Sequence, residues 1–200
     1  MKRLAILVSG RGSNFEAIAR NIAAGQLEAE IACLLSNQPE AKALQTARNL
    51  GLNAVSLPSK GIDSDTYAAL VCDVLAPLHI DLICLAGFMR RVGQPLLDAY
   101  AGRILNIHPS LLPSFPGLHV QQQALDYGVR FSGCSVHFVE AGIDSGPIIT
   151  QAAVPVLDDD TADTLAARIL VEEHKIYTEA IALVLSGRYR VEGRRVIRTP

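Results

Sequence analysis

The chain has 200 residues, half of them hydrophobic and 19% charged, with a formal net charge of −2. That length suits one globular domain with a sizeable core. The near-balanced charge provides no general field for nucleic acid or an anionic membrane, so neither is expected as a partner.

In chain order, residues 4–8 form a short apolar run broken at Ser9-Gly10, which predicts a first strand. The run is too short for a signal segment, and no stretch is long and apolar enough to span a bilayer, so a cytoplasmic location is expected. Residues 14–24 have helical spacing, with Phe15, Ile18 and Ile22 on one face. A strand follows over 31–35, then a helix over 41–50 that stops at Gly51. The pattern continues with a short strand at 53–57, a helix over 63–78 ended by Pro77, and a strand over 82–86 closed by Gly87. This alternation implies parallel strands with helices on both faces.

The second half reads differently. A strand over 104–108 stops at Pro109, and a proline-rich loop runs to Gly117. A helix is predicted over 120–127, then two longer strands over 131–139 and 147–154, expected to be antiparallel. A long helix covers 161–185. Residues 189–191 and 195–197 flank Glu192-Gly193 as a closing hairpin. Arg188, Arg190, Arg194, Arg195 and Arg198 fit its solvated face. The expected class is α/β: one three-layer domain over 1–200, a mostly parallel Rossmann-like sheet with an antiparallel C-terminal part. Cys33, Cys72, Cys84 and Cys134 show no CxxC or zinc spacing, so they read as small buried hydrophobes in a reducing compartment, and no metal is expected.

Ser9-Gly10-Arg11-Gly12-Ser13-Asn14 joins the first strand to the first helix, where parallel α/β sheets bind ligands. Glycines let the backbone approach an anion, and helix-start amides point at it. Ser13 and Asn14 could cap the helix or donate to a phosphate; the same pattern also fits a plain tight turn. Phe15 stands where a dinucleotide fingerprint needs glycine, the second strand ends in Ser36-Asn37 rather than an acidic residue, and no Gly-Lys-Ser/Thr follows. A single phosphate is the better ligand.

Asn106 and His108 alternate with Ile107 and so share one face of a strand end. An amide and an imidazole there suit a developing oxyanion, since histidine can carry a second proton near neutrality. Asp144, in the turn Gly142-Ile143-Asp144-Ser145-Gly146, could orient that histidine, or serve only the turn. On the long helix, Leu165, Ile169, Glu173, Ile176 and Ala180 share a face, which puts a carboxylate on an apolar stripe. The alternative is an edge residue whose carboxylate reaches solvent. On pattern alone Met89 is core filler and His137 a hydrogen-bonded strand residue.

Four segments, in order, resemble the phosphoribosylglycinamide formyltransferases of the folate-dependent formyltransferase family. These are residues 9–14, Leu85-Ala86-Gly87-Phe88-Met89-Arg90, Leu105-Asn106-Ile107-His108-Pro109-Ser110-Leu111-Leu112-Pro113, and Ser135-Val136-His137-Phe138-Val139 with Asp144-Ser145-Gly146-Pro147. The resemblance covers nearly the whole chain. It implies a phosphate-binding half at 1–100 and a catalytic, folate-binding half at 101–200. It implies Asn106, His108 and Asp144 as catalytic residues, and Arg11, Gly12, Ser13, Asn14 and Glu173 as ligands of the sugar-phosphate acceptor. The folate would meet Met89, Arg90, Arg91, Val92, Asn106, Glu140, Ala141, Gly142, Ile143 and Asp144. The co-substrate would be 10-formyltetrahydrofolate, the acceptor phosphoribosylglycinamide, and the assembly a monomer or homodimer. Some relatives place an arginine near the folate tail where this chain reads Ile62-Asp63-Ser64-Asp65-Thr66-Tyr67. The alternatives are a formyltetrahydrofolate hydrolase, another folate-dependent formyltransferase such as one acting on methionyl-tRNA, or a non-catalytic phosphate-binding module.

Overall fold

A computed structural model describes residues 1–200. The chain divides into two compact units, Met1–Asn106 and Ile107–Pro200. The fold is the expected α/β type, with a mostly parallel sheet and antiparallel C-terminal strands.

The first unit carries β1 (Lys2–Val8), α1 (Ser13–Ala23), β2 (Ala29–Ser36), α2 (Lys42–Asn49), β3 (Ala54–Ser56), α3 (Ser64–Leu75), β4 (Leu82–Leu85), α4 (Gln94–Ala99) and the start of β5 (Ile104–His108). Its strands run in the order β3-β2-β1-β4-β5, all parallel. Leu4 to Val8 and Leu82 to Leu85 are wholly buried, as strands covered on both faces require. Strand order reverses between β1 and β4, and at such a switch point the loops leaving the carboxyl ends part to admit a ligand. Leu7 pairs with Leu85, and Leu85 with Asn106, so those three carboxyl ends are level.

Local chemistry sets the boundaries. Asp63 caps α3 by accepting from the amides of Asp65 and Thr66 at 3.0 and 2.9 Å. Pro77 does not extend α3 but sits in the 3-10 turn Ala76–Leu78 that follows it. The six-residue α4 is absent from the sequence reading. It is too short to show a period, and Pro95, a breaker in a helix interior, occupies its first turn, where proline is tolerated.

The second unit carries the end of β5, α5 (Val120–Tyr127), β6 (Phe131–Phe138), β7 (Ile148–Pro155), α6 (Ala162–Ser186), β8 (Tyr189–Glu192) and β9 (Arg195–Arg198). Strands β6 and β7 pair antiparallel, with a register shift between Val136 and His137. The strand order here is β6-β7-β9-β8. A capping box between Thr161 and Thr164 starts α6, and Gly187 in the left-handed conformation ends it. The helix packs on β6 and β7. The five arginines around the hairpin are exposed, as a solvated face requires. All four cysteines are free. No helix is long and apolar enough to cross a membrane.

Candidate functional site

In the first unit, the loop after β1 turns on Gly12. Its φ is +83°, and an added Cβ would lie 2.6 Å from the Ala43 Cβ, so both conformation and space demand glycine. The Gly12 carbonyl accepts from Glu16 N at 2.9 Å and opens α1. Gly12, not Ser13 or Asn14, is the N-cap, and no side chain caps the helix. The positive end of the helix dipole therefore carries no capping oxygen of its own, an arrangement that favours an anion. Arg11 is exposed, Ser13 partly exposed and Asn14 buried.

Ser9, just ahead of the glycines, grips the segment after β4. Its amide donates to Gly87 O at 3.0 Å. Its hydroxyl accepts from Met89 N at 2.7 Å and lies 2.6 Å from Asn37 Oδ1. Arg90 donates to Ser59 O at 3.1 Å and Ile62 O at 2.8 Å, with its guanidinium 4.7 Å above the Tyr67 ring. Met89 is 66% exposed rather than core filler. Arg91 is exposed and Val92 half-buried.

In the second unit the central residue is His108, 4% exposed at the end of β5. Pro109, which cannot donate to a ladder, follows it. His108 Nε2 lies 2.9 Å from Phe115 O, and Nδ1 lies 3.4 Å from Asp144 Oδ2. Both ring nitrogens therefore face acceptor oxygens. Asp144 Oδ2 also accepts from Gly117 N at 2.9 Å. Its other oxygen faces His137 Nε2 at 3.6 Å, while His137 Nδ1 lies 2.7 Å from Phe138 O. The carboxylate thus sits between two imidazoles. Burial alone would raise the Asp144 carboxyl, but the His137 and Gly117 contacts and the nearby imidazoles outweigh it and hold the carboxyl below its ordinary range. Asp144 has φ +45°, a conformation that costs a non-glycine residue about 1 kcal/mol or more.

The loop over residues 109–117 is braced by groups that sequence patterns did not single out. Ser135 Oγ donates to Ser110 O at 2.6 Å and accepts from Leu112 N at 3.0 Å. Gln151 Nε2 donates to Leu112 O at 3.0 Å and to Ser135 Oγ at 2.8 Å. Ser110 Oγ donates to Ser114 O at 2.6 Å. The Leu112–Pro113 peptide is cis. Gly146 is required by space, since a Cβ there would fall 1.9 Å from Phe138 O.

Of the expected site residues, the structure brings His108 and Asp144 together and sets Asn106 two places earlier on the strand of His108. Arg11, Gly12, Ser13 and Asn14 form one turn, and Met89 and Arg90 are tied down by Ser9, Ser59 and Ile62. Glu140, Ala141, Gly142 and Ile143 form an exposed stretch leading into Asp144. Glu173 is 8% exposed and stays with Leu165, Ile169, Ile176 and Ala180 on the buried face of α6, so it is not a solvent-reaching edge residue. Burial, with the negative charge of Glu173 and Glu172, pushes the Cys134 thiol up to about 12. Ser9, Asn37, Ser59, Ser135 and Gln151 were missed as partners, and His137 was read as a hydrogen-bonded strand residue but not as a neighbour of Asp144. For Ser135 and Gln151 the usable signal was a polar residue inside an apolar strand; Ser9 and Asn37 follow strand ends and Ser59 lies in a loop, where no such signal exists. No group of three or more His, Cys, Asp or Glu side chains is arranged to hold a metal ion.

The sequence matches the family described as formyl transferase over residues 2–181. It is 45% identical over 189 residues to the trifunctional purine biosynthetic protein adenosine-3 of Drosophila melanogaster, covering 93% of this chain. The chain spans 14% of the length of that relative. It is 39% identical over 193 residues to the phosphoribosylglycinamide formyltransferase of Bacillus subtilis, covering 96% of this chain and 99% of that protein. It is also similar to the crystal structure of glycinamide ribonucleotide transformylase 1 from Symbiobacterium toebii, with a TM-score of 0.97 and 48% identity over 100% of this chain and 95% of that one.

Proposed function

The chain belongs to the formyl transferase family, and from that premise we propose that it moves the formyl group of 10-formyltetrahydrofolate onto the amine of phosphoribosylglycinamide, as a cytoplasmic monomer or homodimer. The observation that carries this reading is the His108–Asp144 pair. In its doubly protonated form an imidazole with a carboxylate beside one nitrogen and a carbonyl beside the other can donate to an oxyanion, with the carboxylate balancing its charge.

The acceptor amine attacks the formyl carbon, and the carbonyl oxygen becomes the oxyanion of a tetrahedral intermediate. Asn106 donates to it through its amide, and His108 through an imidazolium N–H. The Nε2 proton directed at Phe115 O, or the Nδ1 proton directed at Asp144, is shared with the oxyanion when the intermediate forms. The attacking nitrogen loses its proton, relayed through Asp144 and water to the folate nitrogen. The bond from carbon to that nitrogen breaks, and deformylated folate leaves. Arg11, Gly12, Ser13 and Asn14 hold the acceptor phosphate, and Glu173 binds its sugar portion. The folate's pterin lies against the backbone of residues 89–92 and 140–144. The switch point between β1 and β4, flanked by the glycine loop and the Met89 segment, supports this division of labour.

Carbon-13 in the donor's formyl group provides the test. The label should appear on the acceptor amine as an amide, with one deformylated folate released per acceptor formylated. Label recovered only as formate would replace this reading with a hydrolase.

A further inference from the structure

Asn37 is 3% exposed, at a strand end where an apolar side chain would pack at no polar cost. Its partners explain its presence. Met89 N–H can only donate, so Ser9 Oγ accepts there. The hydroxyl proton of Ser9 then goes to Asn37 Oδ1 at 2.6 Å, which fixes the amide, and Asn37 Nδ2 donates to Ser59 Oγ at 3.1 Å. The Ser59 carbonyl in turn accepts from Arg90 Nη1 at 3.1 Å. The path from Met89 through Ser9, Asn37 and Ser59 returns to Arg90, the next residue along. At its other end, Ser9 leads into Gly10, whose carbonyl accepts from Ala43 N at 3.2 Å, beside the contact that demands glycine at position 12.

From this ring we infer that Asn37 is a positioning residue that joins the glycine loop to the Met89–Arg90 segment, so that an occupant of one site alters affinity at the other. The inference rests on the proposed function for what the two sites hold. It adds that they are not independent, because a shift of the Met89 amide is passed through one hydroxyl to the start of the glycine loop. The bonds from Met89 through Ser9 and Asn37 to Ser59 are neutral, the Arg90 guanidinium closes the ring, and none of these groups takes part in the chemical step at His108.

The test measures binding of 5,10-dideazatetrahydrofolate, which cannot transfer a formyl group, by calorimetry with and without saturating ribose 5-phosphate. Wild type, Asn37→Ala and the milder Ser59→Ala are compared, each shown to be folded by its melting curve. In wild type the sugar phosphate should change folate-analogue affinity several-fold. In Asn37→Ala that dependence should vanish, and the analogue should bind about tenfold more weakly, as loss of one to two well-placed hydrogen bonds implies. Steady-state kinetics should show the same rise in KM for the formyl donor with kcat within about threefold, a split that general loss of structure does not give. Ser59→Ala should show the same change, smaller. Equal affinity and equal dependence in wild type and Asn37→Ala overturn the inference and leave the proposed function standing. A wild-type chain that binds no analogue at all overturns both.

Discussion

At His108 in the second unit, the ring contacts join ionisable groups: one carboxylate stands between two imidazoles, and the remaining ring nitrogens face backbone carbonyls. Around Ser9 in the first unit, the contacts among Ser9, Asn37, Ser59 and Met89 are neutral. The difference fits two tasks. A centre that must meet a negative charge made during reaction needs a charge already in place, with little reorganisation. A cradle for a charge that the ligand brings needs fixed dipoles and close backbone approach, which neutral groups and glycine supply. The two regions should therefore fail differently when altered.

The largest effect is expected at the charged centre. His108→Ala should lower kcat by about a hundred- to a thousandfold, the usual loss of an oxyanion donor, with binding of the folate analogue little changed. Asp144→Asn keeps an acceptor for Gly117 N but removes the charge between the imidazoles, and should lower kcat by a similar order. Single-turnover rates check both. Gly12→Ala breaks the comparison from the other side. With its Cβ 2.6 Å from Ala43 and φ at +83°, it should cost about 1–3 kcal/mol in urea unfolding and raise the acceptor KM. A Gly12→Ala protein whose only defect lies in kcat would mean that the two regions are not separable in this way.

Acid unfolding sharpens the contrast further. The Asp144 carboxyl is held below its ordinary value, so its contribution to stability is complete above the unfolded-state pKa, about 3.9 for aspartate, and is lost as pH falls through the lower folded value. Asp63, Asp81 and Asp160 are lowered too and act in the same direction. Denaturant midpoints should thus decline below about pH 4, and Asp144→Asn should make that decline shallower. Asn37→Ala should leave its shape unchanged. The smallest effect belongs to Thr161→Ala, which removes the cap of the helix bearing Glu173 and should cost about 1 kcal/mol with kinetics unchanged.

The parts of this picture that the sequence revealed are those written in local patterns. The five strands of the first unit, the helices before Pro77 and after Thr161, and the antiparallel pairing of β6 with β7 all announce themselves by apolar runs and turn residues. Helix α4 does not, because six residues with a proline in the first turn carry no period. The glycine loop was readable as a candidate ligand loop, but not that Gly12 rather than Ser13 or Asn14 heads the helix; that goes with its contact with Ala43, thirty-one positions away. His108 and Asp144 were each readable as candidates, yet their pairing came only from a family resemblance. Thirty-six positions separate them, and what joins them is the fold of the loop around Phe115 and Gly117. The buried position of Glu173 could be read either way until the packing of α6 on β6 and β7 settled it. Asn37 appeared only as the absence of an acidic residue, because its partners lie on two other loops.

The most direct test follows the absorbance of deformylated folate in a single turnover of 10-formyltetrahydrofolate, with and without phosphoribosylglycinamide, in wild type and in His108→Ala. The account predicts release only when the amine is present, and almost none from the variant in either case. Equal release without the amine, or an unaltered rate after loss of the imidazole, would contradict it.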